Sequence, residues 1–278
     1  MHSYSRMMIS RFAVPLALAC AALSQTSQVG FDPSSREAIE RRLNLAPEKK
    51  AGRPAAVRGL FEEAGCRDTM LEEQVVKGSK QPNIICSLRG TSGSVILVGA
   101  HYDFSGAGRG VVDNWSGVSL LPSLFEVLRK APRKHTFVFV GFTDEETGLQ
   151  GSWFYVKQLS PEQRTGIRAM VNLDSLGLSS TKVWLSGSDH VLTNRLAGVA
   201  KALNLPVEGV NVELVGGADS QSFRNKKIPA ITVHSVTQET LKILHSRDDN
   251  LSAMRMSDYY DTYRLLCGYL VYLDQVLE

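Results

Sequence analysis

Along this chain, short apolar runs alternate with longer stretches in which apolar residues recur every three or four positions, the periodicities of buried strands and amphipathic helices. The runs Val95 to Ala100, Thr136 to Phe142, Ala169 to Leu173, Val183 to Leu185 and Ala230 to His234 predict strands, each short and apolar enough to be buried on both faces. Between them, Pro54 to Ala64, Ser116 to Lys130, Leu192 to Leu203 and Asp258 to Val276 predict helices. Val118, Leu121, Phe125 and Leu128 mark the apolar face of the second. Pro122 falls inside that helix, where it removes a backbone hydrogen bond and predicts a bend. The alternation, with no internal repeat or low-complexity tract, argues an α/β fold with one sheet and helices on both faces.

The first residues follow another pattern. Arg6 and Arg11 precede an apolar run from Phe12 to Leu23, followed by the small and polar residues Ser24 to Gly30, the layout of a secretory signal peptide. The run is too short to span a bilayer. Cleavage after Ser24 fits the small residues Ala22 and Ser24, and Ala19 is nearly as good a choice. Ala17-Leu18-Ala19-Cys20 also resembles the lipid-attachment box of bacterial lipoproteins, with Ala where Leu is usual. The expectation is a 1–24 signal peptide and one mature domain, 25–278, secreted or periplasmic, with a lipid-anchored form through Cys20 as the alternative. Within it, N-terminal helices and a hairpin (31–90) pack onto a core (91–278). Residues 31–86 as a removable propeptide is the less favoured reading, because a cut near residue 90 would separate the strand Val95 to Ala100 from its hairpin neighbours.

At 278 residues, 43% hydrophobic and 21% charged, composition is ordinary for a globular protein. A net charge of +3 from scattered basic residues leaves no electrostatic footprint for nucleic acid. Beyond Cys20, the three cysteines Cys66, Cys86 and Cys267 are too few for a disulfide scaffold or a thiolate metal site. Cys66 and Cys86 flank Met70 to Val76 and Asn83 to Leu88, which look like a hairpin around Lys77-Gly78-Ser79, and they could pair across it in an oxidising compartment. Cys267, in an apolar helical stretch, reads as a buried, inert thiol.

The chemistry gathers where strands end. His101 and Asp103 follow the first predicted core strand, and Asp113 stands twelve positions beyond His101, at the start of the next helix. Asp144, Glu145 and Glu146 follow the second strand, and Asp174 follows the third. In open α/β sheets ligands bind outside the carboxyl ends of strands, so these groups point to one crevice. Imidazole and carboxylate without thiolate suit zinc, and carboxylates able to bridge suit a pair of ions. Singly, a His at a strand end is usually structural and an acidic loop pair usually solvated. For a further ligand, His245 in the polar segment His245-Ser246-Arg247-Asp248-Asp249-Asn250 is the best remaining imidazole, with His234, at the end of an apolar strand, its competitor.

The motifs VILVGAHYDFSG, VVDNWSGV, FTDEETGLQGS and VNLDSLG, followed by the late His245, resemble the co-catalytic di-zinc aminopeptidases secreted by bacteria, from about Leu88 to the C-terminus. Glutaminyl cyclases, glutamate-releasing carboxypeptidases and metal-free receptor ectodomains share that superfamily. The resemblance implies a three-layer α/β/α fold with a central mixed, mostly parallel sheet, two zinc ions, and peptide substrates with a free N-terminus. It makes Asp113 the bridging ligand, with His101 and Asp174 completing one metal and Glu146 and His245 the other. Glu145 becomes the general base that activates a metal-bridging water and returns its proton to the leaving amine. Asp103 becomes the carboxylate that orients the His101 ring, and the Asp113–Asn114 peptide bond is expected to be cis.

The sequence departs from the family at two places. Some relatives carry Tyr immediately before the last ligand His, to stabilise the oxyanion; this chain has Leu244. Relatives often have Asp-His where this chain has Asp219-Ser220, which leaves Asp219 the expected role of capping a helix that begins near Gln221. The uninterrupted segment Glu145 to Ser152 resembles the peptidases rather than the cyclases, and a cationic site for a substrate C-terminus is not evident among the scattered arginines.

Overall fold

The computed structural model describes residues 30–212 and 216–278. The leader and Cys20 lie outside them. One eight-stranded sheet runs through the molecule in the order β1-β2-β4-β3-β5-β8-β6-β7, with β1 Leu71–Gln74, β2 Asn83–Leu88, β3 Val95–His101, β4 Thr136–Phe142, β5 Ile167–Leu173, β6 Thr181–Val183, β7 Val207–Gly209 and β8 Ala230–His234. The central strands β4, β3, β5 and β8 pair in parallel, as do β6 and β7, while β1, β2 and β6 join their inner neighbours antiparallel.

The strand period of two sorts side chains between two layers of helices. Ile96, Val98 and Ala100 of β3 face a core built with α1 (Arg36–Asn44), α2 (Arg53–Glu63), α3 (Ser116–Arg129), α6 (His190–Leu203) and α8 (Met256–Val276). Leu97 faces the opposite way, with Val138, Val140 and Phe142 of β4, against α4 (Gln150–Gln158) and α7 (Ser220–Arg224). A short helix, α5 (Pro161–Gly166), opens on a capping box at Ser160 and leads into β5. The three layers and the mixed sheet are those expected from the sequence.

Local differences have local causes. The predicted strand Val183 to Leu185 is displaced to Thr181–Val183, and Leu185 is exposed; Lys182, charged but buried, holds the edge by reaching Ser180 and Glu208. The first hairpin strand shortens to Leu71–Gln74, leaving Val75 exposed. Pro122 lies in the interior of α3, which continues through it. Cys66 and Cys86 form a disulfide between the end of α2 and β2, and Cys267 is a buried free thiol that burial pushes up to about 12. Among the described residues no helix is long and apolar enough to cross a membrane.

Candidate metal centre

All five predicted ligands and Glu145 meet at the carboxyl ends of β3, β4 and β5, beside the segment that carries His245. His101 is the last residue of β3, buried at 1% exposure. Its Nε2 lies 3.2 Å from Asp113 Oδ1 and 3.8 Å from Asp174 Oδ1. The other oxygen of Asp113 lies 3.1 Å from His245 Nε2, which is also 2.9 Å from Glu146 Oε2. One carboxylate therefore sits between two imidazoles, one oxygen to each. Two triads place donor atoms within 4.8 Å of one another: His101, Glu145 and Asp174, and Asp113, Glu146 and His245.

Backbone turns aim these groups. Asp144, Ser175 and His245 adopt the left-handed region without being glycine, a conformation that clusters at functional sites. The Asp113–Asn114 bond is cis. The Asn114 amide donates to Leu173 O at 2.8 Å and accepts from Gly117 and Ser175, tying the Asp113 turn to the end of β5 beside Asp174. Gly117 is required there, because a Cβ would stand 2.5 Å from Asn114 Oδ1 and 2.6 Å from Leu173 O. Asp103 accepts the backbone N–H groups of Glu145 and Glu146 at 3.1 and 3.2 Å. It also stands 3.3 Å from His101 Nδ1, outside good hydrogen-bond geometry, so its firmest contacts are to the acidic turn.

Two residues not singled out in the sequence complete the frame. Asp249, four positions after His245, accepts Val112 N–H at 2.7 Å and Asp113 N–H at 3.2 Å. Burial pushes its carboxyl up to about 6 despite those donors. Arg53, wholly buried, donates to carbonyls of the loop between His101 and Asp113. Arg-Pro at a helix start and an Asp in a polar loop are too common to have announced either.

His234 is not drawn into the cluster. Its Nε2 meets Val210 O at 3.0 Å and its Nδ1 accepts Val236 N–H at 3.1 Å, so both nitrogens serve the backbone. Burial depresses it to about 4. Asp219 stands at the N-cap of α7, which begins at Ser220 as expected near Gln221, but its side chain makes no capping bond, which corrects the capping expectation. It is fully buried, and no hydrogen bond of ordinary geometry reaches either oxygen. Burial pushes its carboxyl up to about 7, with His101 opposing.

The electrostatics are those of an acidic cluster short of positive charge. Burial pushes Glu145 up to about 10, with His101 opposing and Asp219, Asp174 and Asp113 reinforcing. Glu146 rises to about 7 through burial and Asp113. Burial disfavours the charged form of His101, yet Glu145, Asp103, Asp113 and Asp174 raise it well above its ordinary value. His245 is raised to about 9, first by its hydrogen bond to Asp113. Burial opposes the ionised form of Asp113, but both imidazoles hold it well below the usual carboxylate range. Glu146 Oε1 is buried without a hydrogen-bond partner. Oxygen and imidazole donors that converge and take up protons to offset their crowded negative charge fit divalent cations of the zinc class.

The centre opens into a cleft of about 380 Å³ whose other walls include Leu149, Gly216, Gly217, Gln221 and Leu244. A side recess of about 40 Å³ shares Asp174, Ser175, Gly216, Gly217 and Leu244 with it and is otherwise lined by Trp184, Val212, Ala218 and Val236 with Thr232 and His234. Leu244 packs with Val112, Leu178 and Val236, giving the cleft an apolar wall beside His245.

Peptidase family M28 matches residues 83–269. Leupeptin-inactivating enzyme 1 of Streptomyces exfoliatus is 29% identical over 223 residues, 78% of this chain and 48% of its own length. The chain thus spans about half of that relative. A zinc aminopeptidase from Bacillus subtilis superposes with a TM-score of 0.62 at 24% identity, covering 68% of this chain and 49% of that one. A glutaminyl cyclase from an Acidobacteriales bacterium gives 0.70 at 16% identity, covering 88% and 97%. At those identities the likeness is one of fold.

Proposed function

We propose that this chain, which belongs to peptidase family M28, is a zinc-dependent aminopeptidase that removes N-terminal residues from peptides. The observation that carries the proposal is the Asp113 carboxylate with one oxygen toward each imidazole, flanked by Asp174 on the His101 side and Glu146 on the His245 side. In this reading Asp113 is shared by two ions, His101 and Asp174 complete one, and Glu146 and His245 complete the other.

Bound there, two zinc ions would acidify a water and polarise a peptide carbonyl. Glu145, held in its turn by Asp103 and grouped with His101 and Asp174, accepts the proton of the attacking water and returns it to the departing amine. The acidic surroundings of Asp174 suit a substrate's free ammonium group, which explains a preference for chain ends. The apolar recess beside Asp174 suits the side chain of the residue removed. The pattern of the leader supports action outside the cytoplasm.

Metal content per chain, measured together with turnover of aminoacyl chromogenic amides and of a peptide with N-terminal glutamine, tests the proposal. Two zinc ions with amide hydrolysis are expected. One zinc with cyclisation of the glutamine peptide would replace the proposal with a cyclase, and absence of metal and turnover would leave a binding module on the same fold.

A further inference from the structure

The residues between His101 and Asp113 form an irregular connection that must return precisely, since both ends carry predicted ligands of one centre. A backbone without strand or helix partners has carbonyls to satisfy, and buried ones need donors. Arg53 supplies them from the start of α2, 49 residues before Tyr102. It is the first residue of α2, followed by Pro54, whose fixed φ suits a helix start. Its Nη1 donates to Tyr102 O at 2.7 Å and lies 3.4 Å from Asp103 O. Its Nη2 donates to Arg109 O at 2.6 Å and to Gly110 O at 2.8 Å. The guanidinium carbon lies 4.3 Å from the centroid of Phe104, inside the same connection, and 5.6 Å from that of Trp115 just beyond it.

We infer that Arg53 is a positioning residue for the metal centre: its planar fork clamps the two limbs of the 102–110 loop together and so sets the distance from His101 to Asp113. The loop's entrance, Tyr102 and Asp103, is held by one nitrogen and its exit, Arg109 and Gly110, by the other. Only a forked, planar donor spans both limbs at once; an ammonium group offers three donors from one point. Arg53 also forms no ion pair among the described residues, although it is 0% exposed, so its partners are these carbonyls and rings. A charge buried without a carboxylate in contact is costly to keep. Burial pushes the guanidinium down to about 10, and the acidic centre beyond the loop offsets part of that cost, since Asp249, Asp103 and Asp113 all favour its charged form. A residue from α2 thereby becomes part of the apparatus that shapes a site built at the far end of β3.

The inference rests on the metal-centre reading for its functional consequence, and its test separates the two. Arg53→Lys and Arg53→Gln would be compared with Arg42→Lys, a control at another buried arginine that pairs with Glu126 on α3. Zinc affinity would be read by competition with a chromogenic chelator, and amide hydrogen exchange of residues 102–112 would be followed in metal-free protein. Expected are folded Arg53 variants whose zinc affinity falls about tenfold or more, within the range commanded by groups behind metal ligands, and whose loop amides exchange faster, with neither change in Arg42→Lys. Unchanged zinc affinity and unchanged loop exchange would overturn the inference. So would failure of both Arg53 variants to fold while Arg42→Lys folds, because Arg53 would then serve the whole fold. Wild-type protein that binds no zinc would defeat the metal reading, while loop exchange would still decide whether Arg53 is the clamp.

Discussion

The Asp249 carboxylate accepts the backbone N–H of Asp113, the residue whose own carboxylate lies between the imidazoles of His101 and His245. Since Asp249 follows His245 by four residues, one short segment both presents an imidazole and fixes the main chain of the carboxylate it faces. Asp249→Ala would leave the Val112 and Asp113 N–H groups buried without their acceptor, at a cost of about 2–3 kcal/mol for charge-assisted bonds. The expected outcome is a lower melting temperature in metal-free protein together with weaker zinc binding. Zinc titration of a variant with normal affinity would show that the Asp113 turn holds itself.

Glu145→Gln keeps the shape of the acidic turn, because Asp103 grips the backbone N–H there and not the side chain. Zinc content is expected to survive, while turnover of an aminoacyl amide falls by at least about a hundredfold, the lower end of general-base contributions. Near-normal turnover would remove Glu145 from the proton-transfer role.

The parts of this centre legible in the sequence were those carried by regular structure. His101, Glu145 with Glu146, and Asp174 each follow a strand whose apolar run has an unmistakable end, and parallel pairing of β3, β4 and β5 brings those ends together. Arg53, Asn114 and Asp249 act through backbone atoms of irregular loops, and periodicity carries no information about where such loops lie. Strand β6 was displaced for a related reason: a short run containing Trp184 and Leu185 looks buried by composition, yet strand pairing stops at Val183 and leaves Leu185 in solvent. Asp219 looked like a cap because Asp commonly is one, and only the fold shows its side chain turned into the interior instead.

Asp219 should penalise the metal-free protein at alkaline pH. Its carboxyl rises from 3.8 to about 7 on folding, so between those values the folded chain holds more proton than the unfolded one. Stability from this group is therefore greatest at low pH, declines as pH rises from about 4 to about 7, and stays low above that. Asp219→Asn removes the titration. Relative to wild type, the chelated variant should gain stability at pH 8 by on the order of a few kcal/mol more than at pH 4. Denaturant midpoints at the two pH values measure this, and a pH-independent difference would refute the assignment.

His245 and His101 should separate metal binding from folding. The His245 side chain is 46% exposed, whereas that of His101 is 2% exposed. His245→Ala should therefore lower the melting temperature of chelated protein less than His101→Ala does, while abolishing most of the stabilisation that added zinc gives wild type, about 2.7 kcal/mol at a hundredfold excess over Kd. His101→Ala should lower both. A His245→Ala protein still stabilised by zinc to the wild-type extent would take that imidazole out of the ligand set.

Trp184 should set the size of residue removed. Its ring, 9% exposed, lines the recess beside Asp174 and is oriented by an indole N–H donated to Ser186 Oγ at 2.9 Å. Gly187 lies under the ring so closely that a Cβ there would stand 3.0 Å from it, which leaves the indole little room to swing away. A recess of about 40 Å³ holds a small aliphatic group more readily than an aromatic ring, and each methylene gained or lost in such a pocket is worth about 1–3 kcal/mol in discrimination. Wild-type protein should thus favour amides of small aliphatic residues. Trp184→Ala should shift the ratio of kcat/KM for phenylalanyl over valyl amide by at least about tenfold toward phenylalanyl. A ratio that does not move, in a variant that still turns over the valyl amide, would mean that the substrate side chain lies in the open cleft near Leu149 and Gln221 rather than in this recess.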